Sequence, residues 1–154
     1  MLTTTRLYMF IAFVLALATW TGAALHETIG SHPGWYSQPV RHVREAATAP
    51  GTINAWPFTT TFLLVTTLAA GIAFAGYRGP ARVGVLVILA ATAAILAATL
   101  AYFVPTLMRL ANHAALSDAE IVSMSMTWMA VNLARLATLL VLVVSSLIVL
   151  RRLA

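Results

Sequence analysis

Four apolar runs constrain the fold of this chain more than any other feature. They cover residues 7–25, 58–77, 83–104 and 129–150. Each is about 20 residues long, which is the length that a helix needs to cross about 30 Å of hydrocarbon. We therefore predict an all-α protein, a bundle of four transmembrane helices that run up, down, up and down.

The connections between the runs differ in length. Residues 77–80 form a turn that is too short for anything but antiparallel neighbours. Residues 25–57 are more than a turn requires, and long connections often carry binding sites. We expect this first connection to be ordered, with a short interfacial helix at about residues 38–48.

The last helix is predicted to begin before its apolar run. Ser117 and Glu120 form the pattern of a capping box, in which the two side chains satisfy free backbone groups at a helix start. This helix would extend about two turns beyond the membrane. The four helices are then expected at about residues 7–25, 58–77, 83–104 and 118–150.

The composition excludes a separate soluble domain. Of the 154 residues, 61% are hydrophobic and 8% are charged, so residues 1–154 are expected to form one integral membrane domain. The chain has no cysteine, which excludes disulfides, thiol catalysis and iron–sulfur ligation. The first run is longer than the apolar core of a signal peptide, which favours a retained helix.

Charged residues are distributed asymmetrically. All acidic residues and histidines lie in the connections after runs 1 and 3, whereas the opposite side of the membrane carries five of the nine arginines. The positive-inside rule then places both termini in the cytoplasm and the two long connections outside, in what we expect to be a bacterial inner membrane. Because those arginines serve topology, no nucleic-acid partner is expected.

The third run carries two rows of small residues, which let helix backbones approach closely. We therefore expect this helix to be central, with its rows packed on neighbours in the same chain or in a homo-oligomer. The rows are Ala90, Ala94 and Ala98, and Ala93, Ala97 and Ala101.

Four aromatic residues lie near the outer ends of the runs: Trp20, Trp56, Tyr102 and Trp128. Aromatic rings suit the interface between lipid and water. Taken alone, each is therefore expected at that interface.

Trp128, Asn132 and Arg135 form the most specific polar pattern. Their spacing of four and three residues places them on one face of the last helix. An arginine that faces lipid costs at least about 3 kcal/mol, so Arg135 either snorkels to the interface or faces a polar cavity. Its neighbour Asn132 favours the cavity, where Glu27 is the expected counter-ion. The predicted site faces the extracytoplasmic side.

Histidines near that site raise the question of metal binding. His26, His32 and His113 are the candidate ligands, since imidazole binds zinc, copper and iron. Their spacing matches no recognised ligand pattern. The sequence is compatible with a site that binds a transition metal and with a site that binds none.

Three short segments and one helix face together carry a family resemblance. The segments are residues 103–110, with Phe-Val-Pro-Thr and then Arg-Leu; residues 22–27, Gly-Ala-Ala-Leu-His-Glu; and residues 33–39, which begin Pro-Gly-Trp-Tyr. With the face of Trp128, Asn132 and Arg135, they resemble the anthrone oxygenase-like family of small four-helix membrane proteins.

The resemblance implies an oxygenase-type oxidoreductase that acts on a hydrophobic aromatic, phenol-like or anthrone-like, dissolved in the membrane lipid. It does not require a tightly held cofactor, and the cofactor stays unknown: none or a transition metal. Such a site needs a base, a cation for the oxyanion and an apolar slot. Glu27 or His26 would be the base, and Asn132 with Arg135 would hold the oxyanion. Aromatic side chains would line the slot: Trp128, Trp35 and Tyr36.

The competing class is a non-enzyme. A ligand-binding or metal-binding membrane protein, a small transporter or a scaffold subunit would also use an intramembrane arginine. A transporter is expected to carry polar groups along its whole depth, whereas the cytoplasmic halves of these runs are aliphatic with some threonine. A one-sided site, for catalysis or for binding, is therefore favoured over transport.

Overall fold

The computed structural model describes residues 3–26, 28–29, 34–46 and 56–153. The regular secondary structure of these residues is entirely helical. Four long helices are joined by short ones, which agrees with the predicted all-α class. The long helices are α1 (Thr4–His26), α4 (Trp56–Ala75), α5 (Arg82–Ala98) and α7 (Asp118–Leu153), and the short ones are α2 (Gly34–Ser37), α3 (Pro39–Ala46) and α6 (Val104–Ala111).

Three helical stretches are long and apolar enough to cross a membrane. They are α1, residues 82–111 taken as one continuous helical stretch, and α7. The apolar stretch Thr59–Ala75 of α4 is shorter. The sequence therefore predicted the positions of all four long helices, and three of them have the dimensions of a membrane span.

The long helices pack in pairs, α1 with α4 and α7, and α5 with α4 and α7. Contacts near both ends of α1 show that α4 is antiparallel to it. Near one end, Arg6 Nε donates to the carbonyl oxygen of Ala73 at 2.8 Å. Near the other end, Trp20 Nε1 lies 3.3 Å from Thr60 Oγ1. We call the end at which α1 finishes and α7 begins the distal end.

A main core fills the space between the four long helices. Its largest members are aromatic and aliphatic side chains that are fully buried. They include Phe10, Phe13, Leu17, Trp20, Leu63, Phe74, Val85 and Leu139.

The alanine rows of α5 do not contribute to this core. All six alanines are exposed, and the buried face of α5 carries larger residues. The prediction that these rows pack on neighbours in the same chain was wrong, whereas their packing in a homo-oligomer stays a prediction. The face of α5 that carries larger side chains is buried instead, because a bigger side chain makes more dispersion contacts when it is buried. That buried face carries Val85, Ile88, Leu89, Thr92 and Leu96.

A second, smaller core lies at the distal end, and we call it the distal cluster. It consists of Val43, Phe103, Leu110, Ile121, Trp128 and Met129. Helix α3 packs on α6 and α7 through this cluster. Arg44 on α3 also forms an ion pair with Asp118 at 2.5 Å. The helix predicted near residues 38–48 is thus present as α3, and it packs against the start of α7.

The capping box at the start of α7 is also present. The backbone N–H of Ser117 donates to Glu120 Oε2 at 2.8 Å, and the backbone N–H of Glu120 donates to Ser117 Oγ at 3.3 Å. The Ser117 hydroxyl donates to the same carboxylate at 2.6 Å. These hydrogen bonds hold the pKa of Glu120 below its ordinary value. The start of the last helix is therefore fixed where the sequence predicted it.

Candidate functional site

Between α5 and α6 the helix widens into a π-helical segment, Thr99–Phe103. The backbone N–H of Val104 donates to the carbonyl oxygen of Thr99, five residues earlier. The cause is Pro105, which has no N–H and whose ring would clash with the carbonyl four residues before it in a regular helix. A wider turn relieves that clash. Both ends of the segment, Thr99 and Phe103, are buried.

On α7, the residues predicted to share a face do share it. Trp128 and Asn132 are fully buried, and Arg135 is 6% exposed. Arg135 therefore lies inside the protein and not on its surface. Snorkelling to the interface is therefore ruled out for this arginine, and the polar cavity beside it stays a prediction.

Arg135 is held by a chain of hydrogen bonds that joins three helical elements. Its Nη2 donates to Asn132 Oδ1 at 2.6 Å, and its Nη1 lies 3.5 Å from Thr99 Oγ1. Asn132 Nδ2 donates in turn to Thr28 Oγ1, just beyond α1, at 2.8 Å. Thr28 Oγ1 donates to the carbonyl oxygen of Ala24 at 2.7 Å, which ends this series of hydrogen bonds. We call Thr28, Thr99, Asn132 and Arg135 the polar layer.

Aromatic rings flank the guanidinium. Its Cζ atom lies 4.2 Å from the centre of the Phe103 ring and 5.5 Å from that of Trp20. The negative face of an aromatic ring attracts a cation, most strongly where water is excluded. Phe103 also packs edge-on against Trp128, with ring centres 5.7 Å apart. The polar layer is therefore enclosed by aromatic side chains.

The polar layer lies between the two hydrophobic cores. Along α7, Asn132 and Arg135 follow Met129 of the distal cluster and precede Leu136 of the main core. Burying a guanidinium costs several kcal/mol unless hydrogen bonds and charges compensate it. Charged residues in the apolar interior of a membrane protein usually meet a partner or a polar cavity there.

The remaining predicted site residues are described in part or not at all. Glu27 and His32 lie outside the described residues, so the expected pair of Glu27 with Arg135 stays a prediction. Trp35 and Tyr36 belong to α2, and His113 to the short 3-10 turn His113–Ala115, but their side chains are outside the description. His26 is the last residue of α1, and its side chain is exposed.

Metal binding stays open for the same reason. The described part of the chain holds no group of three histidine, cysteine, aspartate or glutamate side chains that could bind a metal ion. The predicted ligands His32 and His113 contribute no described side chain. A site formed by His26, His32 and His113 therefore remains a prediction.

Several residues of the site were not predicted. Thr28 and Thr99 belong to other helical elements, and only the Pro105 interruption hints that Thr99 turns inward. Ser125, seven residues before Asn132, is also fully buried on the inner face of α7, and its spacing was a usable signal. Trp20, expected at the membrane interface together with Trp128, is instead fully buried.

The fold and the polar layer together define an all-helical protein whose three longest helical stretches could cross a membrane. No family model, no curated protein and no solved structure matches the chain. The resemblance to anthrone oxygenase-like proteins therefore stays a prediction from residues.

Proposed function

We propose that the protein is integral to a membrane and that all four long helices cross it as an up-down-up-down bundle. Both termini then lie in the cytoplasm, and the distal end faces the extracytoplasmic side. Two observations support this orientation. The antiparallel contacts of α1 and α4 fit helices that cross in alternate directions. The arginines of the opposite end fit the positive-inside rule.

We propose further that the polar layer binds a hydrophobic aromatic molecule through its ionised oxygen. The observation that carries this proposal is Arg135 itself, a buried cation between Asn132, Thr99 and the ring of Phe103. A cation in a site that excludes water stabilises a phenolate or enolate strongly. Its aromatic neighbours suit a flat ligand.

Asn132 acts in this scheme as a positioning residue. Its carbonyl oxygen accepts from Arg135, and its amide nitrogen donates to Thr28. Both ends of the amide are thus engaged in fixing the guanidinium. The role of meeting the oxyanion then falls to Arg135, whose planar fork of N–H groups matches an oxygen ligand.

The reaction that the resemblance implies fits such a site. An anthrone loses a proton from its central CH₂ group to a base, for which Glu27 or His26 is the candidate, and Arg135 stabilises the resulting anion. The anion then reacts with dioxygen. One oxygen atom becomes the new carbonyl of the anthraquinone, and the other leaves as water. The carbon loses four electrons, and dioxygen gains them.

Transport is less well supported by the structure. Buried hydroxyls in the half of the molecule opposite the distal end donate to carbonyl oxygens of their own helices. A path for a polar substrate would need side chains that are available to it. Binding without turnover, or with a metal, remains the competing proposal, because the same layer would serve it.

Oxygenation of anthrone by purified protein tests the proposed activity. We expect detergent-solubilised protein to convert anthrone to anthraquinone with one labelled oxygen from ¹⁸O₂. Arg135→Leu should abolish the reaction. Arg135→Lys should slow it by about tenfold or more, since a lysine ammonium cannot replace the planar set of N–H donors of a guanidinium. Arg109→Leu, an exposed arginine on α6, is the matched control.

Metal analysis of the same samples separates the two versions of the chemistry. Active protein without stoichiometric metal supports direct oxidation of the substrate anion. Copper, iron or zinc that is lost on changing His26, His32 or His113 supports a metal site. If wild-type protein neither binds nor oxidises anthrones, the enzyme proposal is wrong.

A further inference from the structure

The start of α5 lacks the cap that the start of α7 has. At α7, the hydroxyl of Ser117 accepts the backbone N–H of Glu120, and two acidic residues lie in the first turn. At α5, the N-cap residue Ala81 makes no side-chain capping hydrogen bond, and the first turn holds no acidic residue. The first N–H groups of a helix have no acceptor within it, and here they include those of Val83 and Gly84.

The residues around this helix start carry positive charge. Arg82 is the first residue of α5, Arg78 lies in the turn before it, and both are exposed. The positive end of the helix dipole repels a cation at this place. The positive-inside rule explains arginines on this side of the membrane, but it does not explain why they lie at a helix start without a cap. The arrangement is unfavourable unless an anion joins it.

Tyr77 supplies a second, independent observation. Its side chain is 6% exposed, yet its hydroxyl makes no hydrogen bond to any residue that the structure describes. The ring packs edge-on against Phe74, with ring centres 5.3 Å apart. The hydroxyl lies against Gly79, where a Cβ atom would collide with it. Because the Gly79 carbonyl accepts the N–H of Arg82 at 3.0 Å, the hydroxyl is held beside the start of α5.

The neighbouring end of α4 is partly neutralised by another arginine. Arg6 Nε donates to the carbonyl oxygen of Ala73 at 2.8 Å, and its Cζ atom lies 5.9 Å from the centre of the Tyr77 ring. A cation at the C-terminus of a helix offsets the negative end of its dipole. This contact reduces the repulsion that the α4 carbonyls exert on an anion at the adjacent turn.

We propose that the start of α5 binds the phosphate group of an anionic phospholipid. The N–H groups of Val83 and Gly84 and the hydroxyl of Tyr77 donate to phosphate oxygens, and Arg78 and Arg82 balance the negative charge. A lipid is the source of the phosphate because, in the proposed topology, this turn lies at the cytoplasmic surface, where anionic headgroups are found. The choice of a lipid therefore rests on that topology, whereas the anion site does not.

Amide NMR of ¹⁵N-labelled protein in micelles of an uncharged detergent tests the site directly. We expect short-chain phosphatidylglycerol to shift the amide signals of Val83 and Gly84 in a saturable way, and phosphatidylcholine of the same chain length to leave them in place. The capped amide of Glu120 is the internal control and should not move. If the signals of Val83 and Gly84 stay in place with phosphatidylglycerol, the inference is wrong.

Two variants with the same change of charge distinguish a site from a diffuse attraction. Arg82→Gln should weaken phosphatidylglycerol binding about tenfold, since it removes a charge-assisted contact. Arg151→Gln, an exposed arginine at the end of α7, should weaken binding about twofold or less. Equal losses in the two variants would show attraction to surface charge in general and overturn the inference.

Tyr77→Phe isolates the contribution of the hydroxyl. It keeps the ring and removes a group that has no partner in the lipid-free protein, so the melting temperature without lipid should not fall. Phosphatidylglycerol should nevertheless bind about threefold or more weakly. A lowered melting temperature with unchanged lipid affinity would show a structural role for the hydroxyl and contradict its role in binding.

Inorganic phosphate and cysteine labelling separate the remaining outcomes. We expect inorganic phosphate to shift the same amide signals only at about a hundredfold higher concentration than the lipid; equal affinity would overturn the assignment to a lipid. If labelling places this end of the molecule outside the cell while phosphatidylglycerol still shifts the signals, the proposed topology is wrong and the anion site is supported. If labelling confirms the topology and the signals stay in place, the anion site alone is wrong.

Discussion

At the scale of single residues, Arg135 depends on neighbours that offset the cost of burying its charge. Asn132 and Thr99 accept hydrogen bonds from its guanidinium, and the ring of Phe103 contacts it. Hydrogen bonds to a charged group contribute about 1.5–3 kcal/mol each. In the proposed function, this charge acts on a bound anion in a medium of low dielectric constant.

Asn132→Asp separates the charge of the site from its stability. Aspartate keeps an acceptor for Arg135 and adds a negative charge beside it, so the fold should tolerate the change. The affinity for an ionised hydroxyanthraquinone should fall about tenfold or more, because the carboxylate competes for the cation. Isothermal titration measures this affinity.

Thr28→Val is the control for that experiment. It removes the acceptor of the Asn132 amide but leaves the charge of the layer unchanged. We expect it to lower the melting temperature more than Asn132→Asp does, and to weaken ligand binding less. The reverse order would show that the layer is structural and that its charge is not used.

The sequence predicted only those residues of this site that lie on one helix. Trp128, Asn132 and Arg135 could be placed together because helical periodicity relates residues three and four apart. Thr28 and Thr99 could not, since they approach from other helical elements and their contacts depend on tertiary packing. Ser125 obeys the same periodicity, seven residues before Asn132, and its spacing could have placed it on this face.

At the scale of helical elements, the π-helical segment determines which way Phe103 points. Pro105→Ala restores an N–H and removes the ring clash, so the segment should relax to a regular helix. Losing the extra residue of the turn rotates Phe103 by about 100° relative to the residues that follow it. We expect weaker binding of hydroxyanthraquinones despite an improved helix propensity.

Near-ultraviolet circular dichroism reports the same change independently, since Phe103 packs on Trp128. The Trp128 signal should change in Pro105→Ala. Unchanged affinity together with an unchanged spectrum would mean that Pro105 does not set the position of Phe103. Pro80→Ala, in the turn between α4 and α5, is the control.

The capping box predicts a response of α7 to acid. The hydrogen bonds from Ser117 lower the pKa of Glu120 in the folded protein. Glu120 therefore contributes stability above its ordinary pKa of about 4.3, and that contribution is lost as the pH falls through the lowered value. Carboxyl ¹³C chemical shifts of Glu120 should titrate below the ordinary range, and Ser117→Ala should move the titration back toward it. Equal midpoints in both proteins would contradict this.

Helix positions were more predictable than helix faces. Length and hydropathy located the start of every long helix to within three residues, because a membrane-spanning length is a property of the chain alone. The end of the third helix, predicted at residue 104, was less accurate, since α5 ends at Ala98. The face of α5 that packs within the chain was predicted wrongly, since rows of alanines fit close packing only if a neighbouring helix offers a matching surface. Whether a neighbouring helix offers that surface depends on the rest of the molecule, and the sequence of one apolar run does not show it.

At the scale of the whole molecule, the proposed topology can be tested with single cysteines, because the chain contains none. Ser37 and Ser117 are exposed at the distal end. Ser37→Cys or Ser117→Cys should react with a membrane-impermeant thiol reagent in intact cells or spheroplasts. Thr4→Cys, at the start of α1, should react only after the membrane is broken. The opposite pattern would invert the topology.

The central claim is that Arg135 stabilises a bound phenolate, and the pKa of a bound phenol measures this directly. The ionised form of 2-hydroxyanthraquinone absorbs at longer wavelength, so absorbance follows its titration in the site. We predict that wild-type protein lowers this pKa by about one unit or more relative to empty detergent micelles, because a nearby cation favours the charged form. Arg135→Leu should remove the shift, and Arg109→Leu should keep it. A bound phenol that ionises at the same pH in wild-type and Arg135→Leu protein would contradict the claim.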